Sequence, residues 1–241
     1  MKNLKIDKNK GLLLIFFLMI VAALFLMISS FFKDSQEEEM FAKQNIPASG
    51  AEYAYAASKS PTLREDDKIF GSKEAPVKIF VYEDNASIFS AQLADTLDRI
   101  YIEEAKKVAI IIRPFISQNS IDSLEAALAI DCAADQGKWV GMRALIFSKV
   151  KNEELDFGKL NDYAKQIGLN ENKFFTCLTN QEKLAKIEEL SREAEQHEVM
   201  GAPTIFIDNE MILGARPYED YVDSNGEQVA GLKTIISKKL K

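Results

Sequence analysis

Thiols and imidazoles are few enough in this 241-residue chain to be weighed one at a time: two cysteines, Cys132 and Cys177, and a single histidine, His197. The cysteines stand 45 positions apart, far from the Cys-x-x-Cys spacing in which a thiolate at a helix start is resolved by a second thiol one turn later. One histidine and two cysteines fall short of the four ligands of a protein-only zinc site, so no metal centre is expected. A Ser-His-Asp hydrolase would rest wholly on His197. The net charge of −7 divides into +4 on residues 1–33 and −11 on the rest, and so acidic a body is a poor match for nucleic acid. With 47% hydrophobic and 28% charged residues, the chain has the composition of a folded protein.

Stepping outward from these groups, residues 11–32 form a run without a charge, preceded by Lys2, Lys5, Lys8 and Lys10 in a stub of residues 1–10. As a helix those 22 residues reach roughly 33 Å, close to the ~30 Å hydrocarbon core of a bilayer. The expectation is a single-pass membrane anchor whose lysine-rich end stays in the cytoplasm, which puts the bulk of the chain outside it. The competing reading, a cleaved signal peptide, calls for a shorter apolar run and a small-residue site directly behind it. The nearest such site, Ala54-Tyr55-Ala56, lies some twenty residues too far along. Residues 33–68 are acidic, then rich in Ala, Ser and Pro, and read as a spacer.

A domain of residues 69–241 follows. Val77 to Tyr82 is a short β-branched and aromatic run, so a strand. Ser87 to Glu104 carries apolar residues at helical spacing, and Val108 to Ile112 is a second buried strand ended by Arg113-Pro114. A strand–helix–strand unit predicts parallel pairing of the two strands. Residues 118–198 read as an all-helical stretch with breaks near Gly137, Lys151-Asn152, Gly168-Leu169-Asn170 and Thr179-Asn180. Pro203 to Ile207 and Met211 to Leu213 flank Asp208-Asn209-Glu210 as a hairpin, and an amphipathic helix closes the chain. The outline is βαβ, a helical insertion, then ββα: an α/β, thioredoxin-like fold.

Several landmarks make the likeness more specific. They are Gly71-Ser72-x-x-Ala75-Pro76-Val77 before the first long strand, Arg113-Pro114-Phe115 after the second, Cys132 to Trp139 and Gly168 to Leu178 in the insert, and Val199-Met200-Gly201-Ala202-Pro203-Thr204. In that order the chain resembles the DsbA-like thiol–disulfide oxidoreductases of the membrane-anchored or exported branch. The resemblance spans residues 69–241 and implies that Ala202-Pro203 carries the family's cis-proline. The family's Cys-x-x-Cys falls on Ser87-Ile88-Phe89-Ser90 here, after Glu83-Asp84-Asn85-Ala86. A serine hydroxyl forms no disulfide, so the usual redox chemistry is lost at both positions. Ser87 as a nucleophile would need His197 as its base; the plainer role for Ser87 is the N-cap of its helix, and that for His197 is a surface residue at a helix C-terminus, favoured by the dipole.

In this family's oxidising compartment, Cys132 and Cys177 form a structural disulfide, remain two buried thiols, or act as an unusual redox pair. The resemblance also implies that the residue before the cis-proline offers its backbone to an extended peptide. The alternative for Pro203 is that it does no more than fix a turn, and Phe89 either faces such a peptide or packs in the first turn of its helix. Two functions follow as expectations: a redox-inactive, extracytoplasmic peptide-binding or chaperone-like module, or an oxidoreductase working through Cys132 and Cys177 or through a partner's cysteines. Neither implies a cofactor.

Overall fold

The computed structural model describes residues 60–117 and 120–241. The expected anchor at 11–32 and the spacer as far as residue 59 lie outside the described residues, among which no helix is long and apolar enough to cross a membrane. A five-stranded sheet in the order β1-β3-β2-β4-β5 forms the centre of the domain. β2 (Val77–Glu83) and β3 (Val108–Pro114) run parallel in continuous register from Val77 opposite Val108 to Glu83 opposite Pro114, and α1 (Ile88–Glu104) crosses between them. β4 (Thr204–Ile207) lies antiparallel to β2, with Thr204 opposite Tyr82, and turns back through β5 (Glu210–Leu213). β1 (Lys68–Phe70) pairs antiparallel on the outer side of β3. A second, two-stranded sheet of β6 (Tyr221–Val222) and β7 (Gln228–Val229) precedes the closing helix α7 (Leu232–Lys239).

Both faces of the sheet are covered, which explains why β3 is apolar at five successive positions and not at alternate ones. One face turns Ile79, Val81, Ile110, Ile205 and Ile207 onto Leu93, Leu97 and Ile100 of α1 and Leu232, Ile235 and Ile236 of α7. The opposite face carries Phe80, Tyr82, Ile111 and Phe206 against Ala194, Val199 and Met211. Each fully buried Val, Leu, Ile or Phe side chain among them stabilises the fold by roughly 1.5–3 kcal/mol relative to exposure.

The insert builds a separate core. Its helices are α2 (Ile121–Ala134), α3 (Trp139–Lys151), α4 (Leu160–Gln166), α5 (Glu171–Leu178) and α6 (Gln181–Glu193). Ile130, Met142, Ile146, Tyr163, Phe174 and Ile187 meet inside them. Ser120, Asn170 and Asn180 cap α2, α5 and α6 through side-chain oxygens that accept backbone N–H groups. Gly137 and Gly168 hold left-handed backbone at φ +70, which lets Lys138 and Leu169 donate back to Ala133 and Ala164 and stop α2 and α4.

Residues 60–68, read from the sequence as the end of a spacer, pack on the domain. Pro61 is buried, the Thr62 carbonyl accepts from Arg113 Nη2 at 2.6 Å, and Asp67 accepts from Arg113 Nε and Nη2 at 2.9 and 3.0 Å.

Candidate functional site

The position where this fold would carry its thiols lies at the carboxyl end of β2, where the strand turns into α1. Asp84 shapes that turn. Its Oδ1 accepts from the Ala86 N–H at 2.9 Å, its Oδ2 accepts from Ser123 Oγ at 2.8 Å and from Ser117 Oγ, and its carbonyl accepts from the Ser87 N–H at 3.0 Å. Ser87 is extended (φ −90, ψ 133) and its Oγ accepts from the Phe89 N–H at 3.2 Å, so it is the N-cap of α1 as expected. Ser90 is 1% exposed, and its Oγ accepts from the Asp84 N–H at 3.1 Å. Both hydroxyls therefore serve the turn. Ile88 and Phe89 between them remain 40% and 47% exposed, so Phe89 is not absorbed into the core.

Beneath the turn is a buried ion pair that the sequence reading missed. Arg143 of α3 donates from Nε and Nη2 to the two Glu83 carboxylate oxygens, both at 2.7 Å, and Asn85 Nδ2 donates to Glu83 at 2.8 Å. Glu83 and Arg143 are 1% and 4% exposed at their side chains. Two parallel charge-assisted bonds fix both the distance and the angle between α3 and the end of β2. The only hint in the sequence is Glu83-Asp84 directly behind an apolar strand, since Arg143 lies 60 positions on in an otherwise ordinary helix.

Ala202-Pro203 is a cis peptide bond. Continuing the register by one residue places Pro203 across from Glu83, beside the turn that Asp84 organises. The Pro203 carbonyl accepts from the Gly214 N–H at 2.8 Å, and Thr204 Oγ1 donates to the Gly201 carbonyl at 2.7 Å. The Ala202 N–H and C=O have no hydrogen-bond partner among the described residues. Met200, two residues before Ala202, is 85% exposed.

His197 does not stand by as a base for Ser87. It ends the short 3-10 turn Ala194–His197 behind α6 and is half-buried, with Nε2 at 3.2 Å from Glu193 Oε1. Its ring centroid lies 6.3 Å from those of Tyr82 and Phe206, on the face of the sheet opposite α1. The same patch holds Arg113, whose Nη1 donates to Glu193 at 2.9 Å and to Tyr82 Oη at 3.4 Å. Burial, together with Glu193, pushes the Tyr82 hydroxyl up to about 12 despite Arg113 beside it, so it stays protonated. The sequence reading placed His197 at the surface; the structure makes it part of a packed polar cluster.

Cys132 in α2 and Cys177 in α5 are joined as a disulfide, with Cα atoms 5.7 Å apart, which removes the reading of two free thiols. Cys132 is 1% exposed. Next to it, Asp131 is bridged by Lys68 Nζ of β1 at 2.6 Å and Lys183 Nζ of α6 at 2.7 Å. Burial pushes the Asp131 carboxyl up, but the two ammonium groups outweigh it and hold it below its ordinary value. Among the described residues, no group of three or more His, Cys, Asp or Glu side chains is placed to hold a metal ion.

Comparison with known proteins agrees with this architecture. The chain superposes on alpha-DsbA1 of Wolbachia pipientis with a TM-score of 0.59 at 18% identity, over 76% of this chain and 94% of that one. BdbD of Bacillus subtilis, in its oxidised form, gives 0.59 at 18% identity over 72% and 92%. The thiol-disulfide exchange protein alpha-DsbA2 of Wolbachia pipientis gives 0.57 at 19% identity over 71% and 86%. No curated protein matches the sequence. The thioredoxin family model matches residues 63–223, so the chain belongs to the thioredoxin family, in the helix-inserted form of the fold that the DsbA-like structures share.

Proposed function

We propose that this protein is a membrane-tethered, extracytoplasmic binding module that receives extended peptide at its cis-proline loop and does no redox chemistry at the usual position. The observation that carries the reading is a contrast within one end of the sheet. The hydroxyls of Ser87 and Ser90 are committed to the turn, while the Ala202 backbone groups are unpaired among the described residues, and Ile88 and Phe89 of the same turn and Met200 of the same loop stay exposed. An unpaired N–H and C=O next to apolar side chains is what strand addition by a peptide requires. The tether rests on the uncharged run of residues 11–32 and its lysine flank.

Photocrosslinking from position 202 or 89 of the full chain in native membranes tests the reading: capture of polypeptide is expected. Capture at neither position, while a surface position such as 173 crosslinks as well or better, would overturn it.

The second reading is a thiol–disulfide oxidoreductase working through Cys132–Cys177 or a partner's cysteines. The disulfide supports it; against it stand the burial of Cys132 and its place inside a helix, where no helix start lowers a thiol's pKa. Insulin reduction separates the two. The wild-type chain is expected to give no turnover above background, whereas turnover abolished by Cys132→Ser would establish the oxidoreductase.

A further inference from the structure

The turn between β2 and α1 also borders the helical insert. Ala86 forms one wall of a cleft of about 510 Å3, within the size range of small binding pockets. Its apolar lining comes from the insert: Val150 at the end of α3, Leu155 and Phe157, each half-buried against the insert's own core. Its remaining lining is acidic and exposed, from Asp122, Glu153 and Asp156.

The fold explains these three acids unequally. Asp122 lies in the first turn of α2, where the helix dipole favours it. Asp156 caps a short 3-10 turn through the Gly158 N–H at 2.9 Å and has Lys159 at 3.4 Å. Glu153 has no such reason. It follows the carboxyl end of α3, where the dipole disfavours a negative charge, and its backbone is left-handed at φ 56, a position that favours glycine or asparagine. Neither Asp122 nor Glu153 has an ion-pair partner among the described residues. Apolar walls under unneutralised carboxylates match a ligand of the opposite pattern.

We propose that this cleft holds the apolar side chains of a lysine- or arginine-flanked peptide segment, so that the partner is a basic, apolar, extended polypeptide that runs from the Ala202 loop across the turn into the insert. The proposal rests on the reading of Ala202 as a peptide-pairing site and adds the class of sequence it selects. Ala86 connects the two places, since it lines the cleft and belongs to the turn that faces Pro203 in register.

The test uses the full chain in detergent and two fluorescein-labelled decapeptides with the same Leu and Phe residues, one flanked by lysines and one by glutamates. Fluorescence polarisation is read at low and at physiological ionic strength, with circular dichroism to confirm that each variant is folded. The lysine peptide is expected to bind about tenfold more tightly at low salt, with the preference shrinking as salt rises. The charge-reversed variant D122K/E153K should abolish or invert the preference, and D122N/E153Q should reduce it. Equal binding of the two peptides, or a preference that survives charge reversal, overturns the proposal and leaves peptide pairing at Ala202 standing. Binding of neither peptide overturns both.

Discussion

Removing the guanidinium of Arg143 while keeping its bulk, as Arg143→Met, should leave Glu83 buried at 1% exposure with only Asn85 Nδ2, at 2.8 Å, as a side-chain donor. Two charge-assisted bonds of 2.7 Å are lost, and breaking one side of a buried ion pair typically costs about 3–5 kcal/mol. For a domain of this size each kcal/mol lowers Tm by roughly 2–4 °C, so the variant should melt about 6–20 °C below wild type. Trp139 is a convenient reporter: it is the sole tryptophan, it opens α3, and its ring lies 4.7 Å from that of Phe70. Urea unfolding of the full chain in detergent, followed by its fluorescence, gives the free energies. The double variant Glu83→Gln with Arg143→Met should recover about 2 kcal/mol relative to the sum of the single losses, because no unpaired charge is left in the interior. A single-variant cost under about 1 kcal/mol, or additivity in the cycle, would refute the view that this pair holds the insert against the end of β2.

Three other expectations can be checked on the same protein. Ser87→Cys with Ser90→Cys should yield a dithiol that oxidises reversibly, read by thiol alkylation and mass shift; absence of any thiol reactivity would show that this turn does not have redox-site geometry. Replacing both Cys132 and Cys177 by serine should destabilise the fold by about 4 kcal/mol on the chain-entropy account for a closed loop of this length, and an unchanged urea midpoint would count against a structural role. Asp131→Asn should lower stability at neutral pH. Because Lys68 and Lys183 hold the native carboxyl below its ordinary 3.8, its contribution is present above about pH 4 and fades as the pH falls below that, so the two proteins' stability curves should converge in acid.

The parts of this fold that repeat a short-range signal were readable from the sequence. The β2–α1–β3 unit, the hairpin of β4 and β5 and the glycine-marked ends of the insert helices each carry period or punctuation within a dozen residues. β1 was not readable, because Lys68-Ile69-Phe70 is too short to show alternation, and only its ladder to Ile110–Ile112 makes it a strand. The two-residue strands β6 and β7 escaped for the same reason. At the site, Ser87 and Ala202-Pro203 followed from the resemblance to the DsbA-like family. Arg143, Ser117 and Ser123 did not, since a buried charge or hydroxyl looks like a surface one until the partner 30–60 residues away is known. His197 misled in the other direction: its place at a helix end suggested exposure, and tertiary packing against Tyr82 and Phe206 decided otherwise.

The disulfide has a consequence that depends on which helices it joins. It ties α2 to α5, so both ends lie within the insert and none of the constraint crosses to the sheet. Among what crosses are Trp139, which packs on both cores, a small cluster of Ala91, Ala94 and Phe147, Ala194 against the far face of the sheet, and the polar bonds of Glu83, Asp84 and Asp131 and of Arg113 with Glu193. An opening that breaks those contacts would leave α2 and α5 of the oxidised insert still joined to each other. In hydrogen exchange, amides of α2 and α5 should keep shared protection through openings that expose the end of β2, and reduction should make the insert open piecemeal.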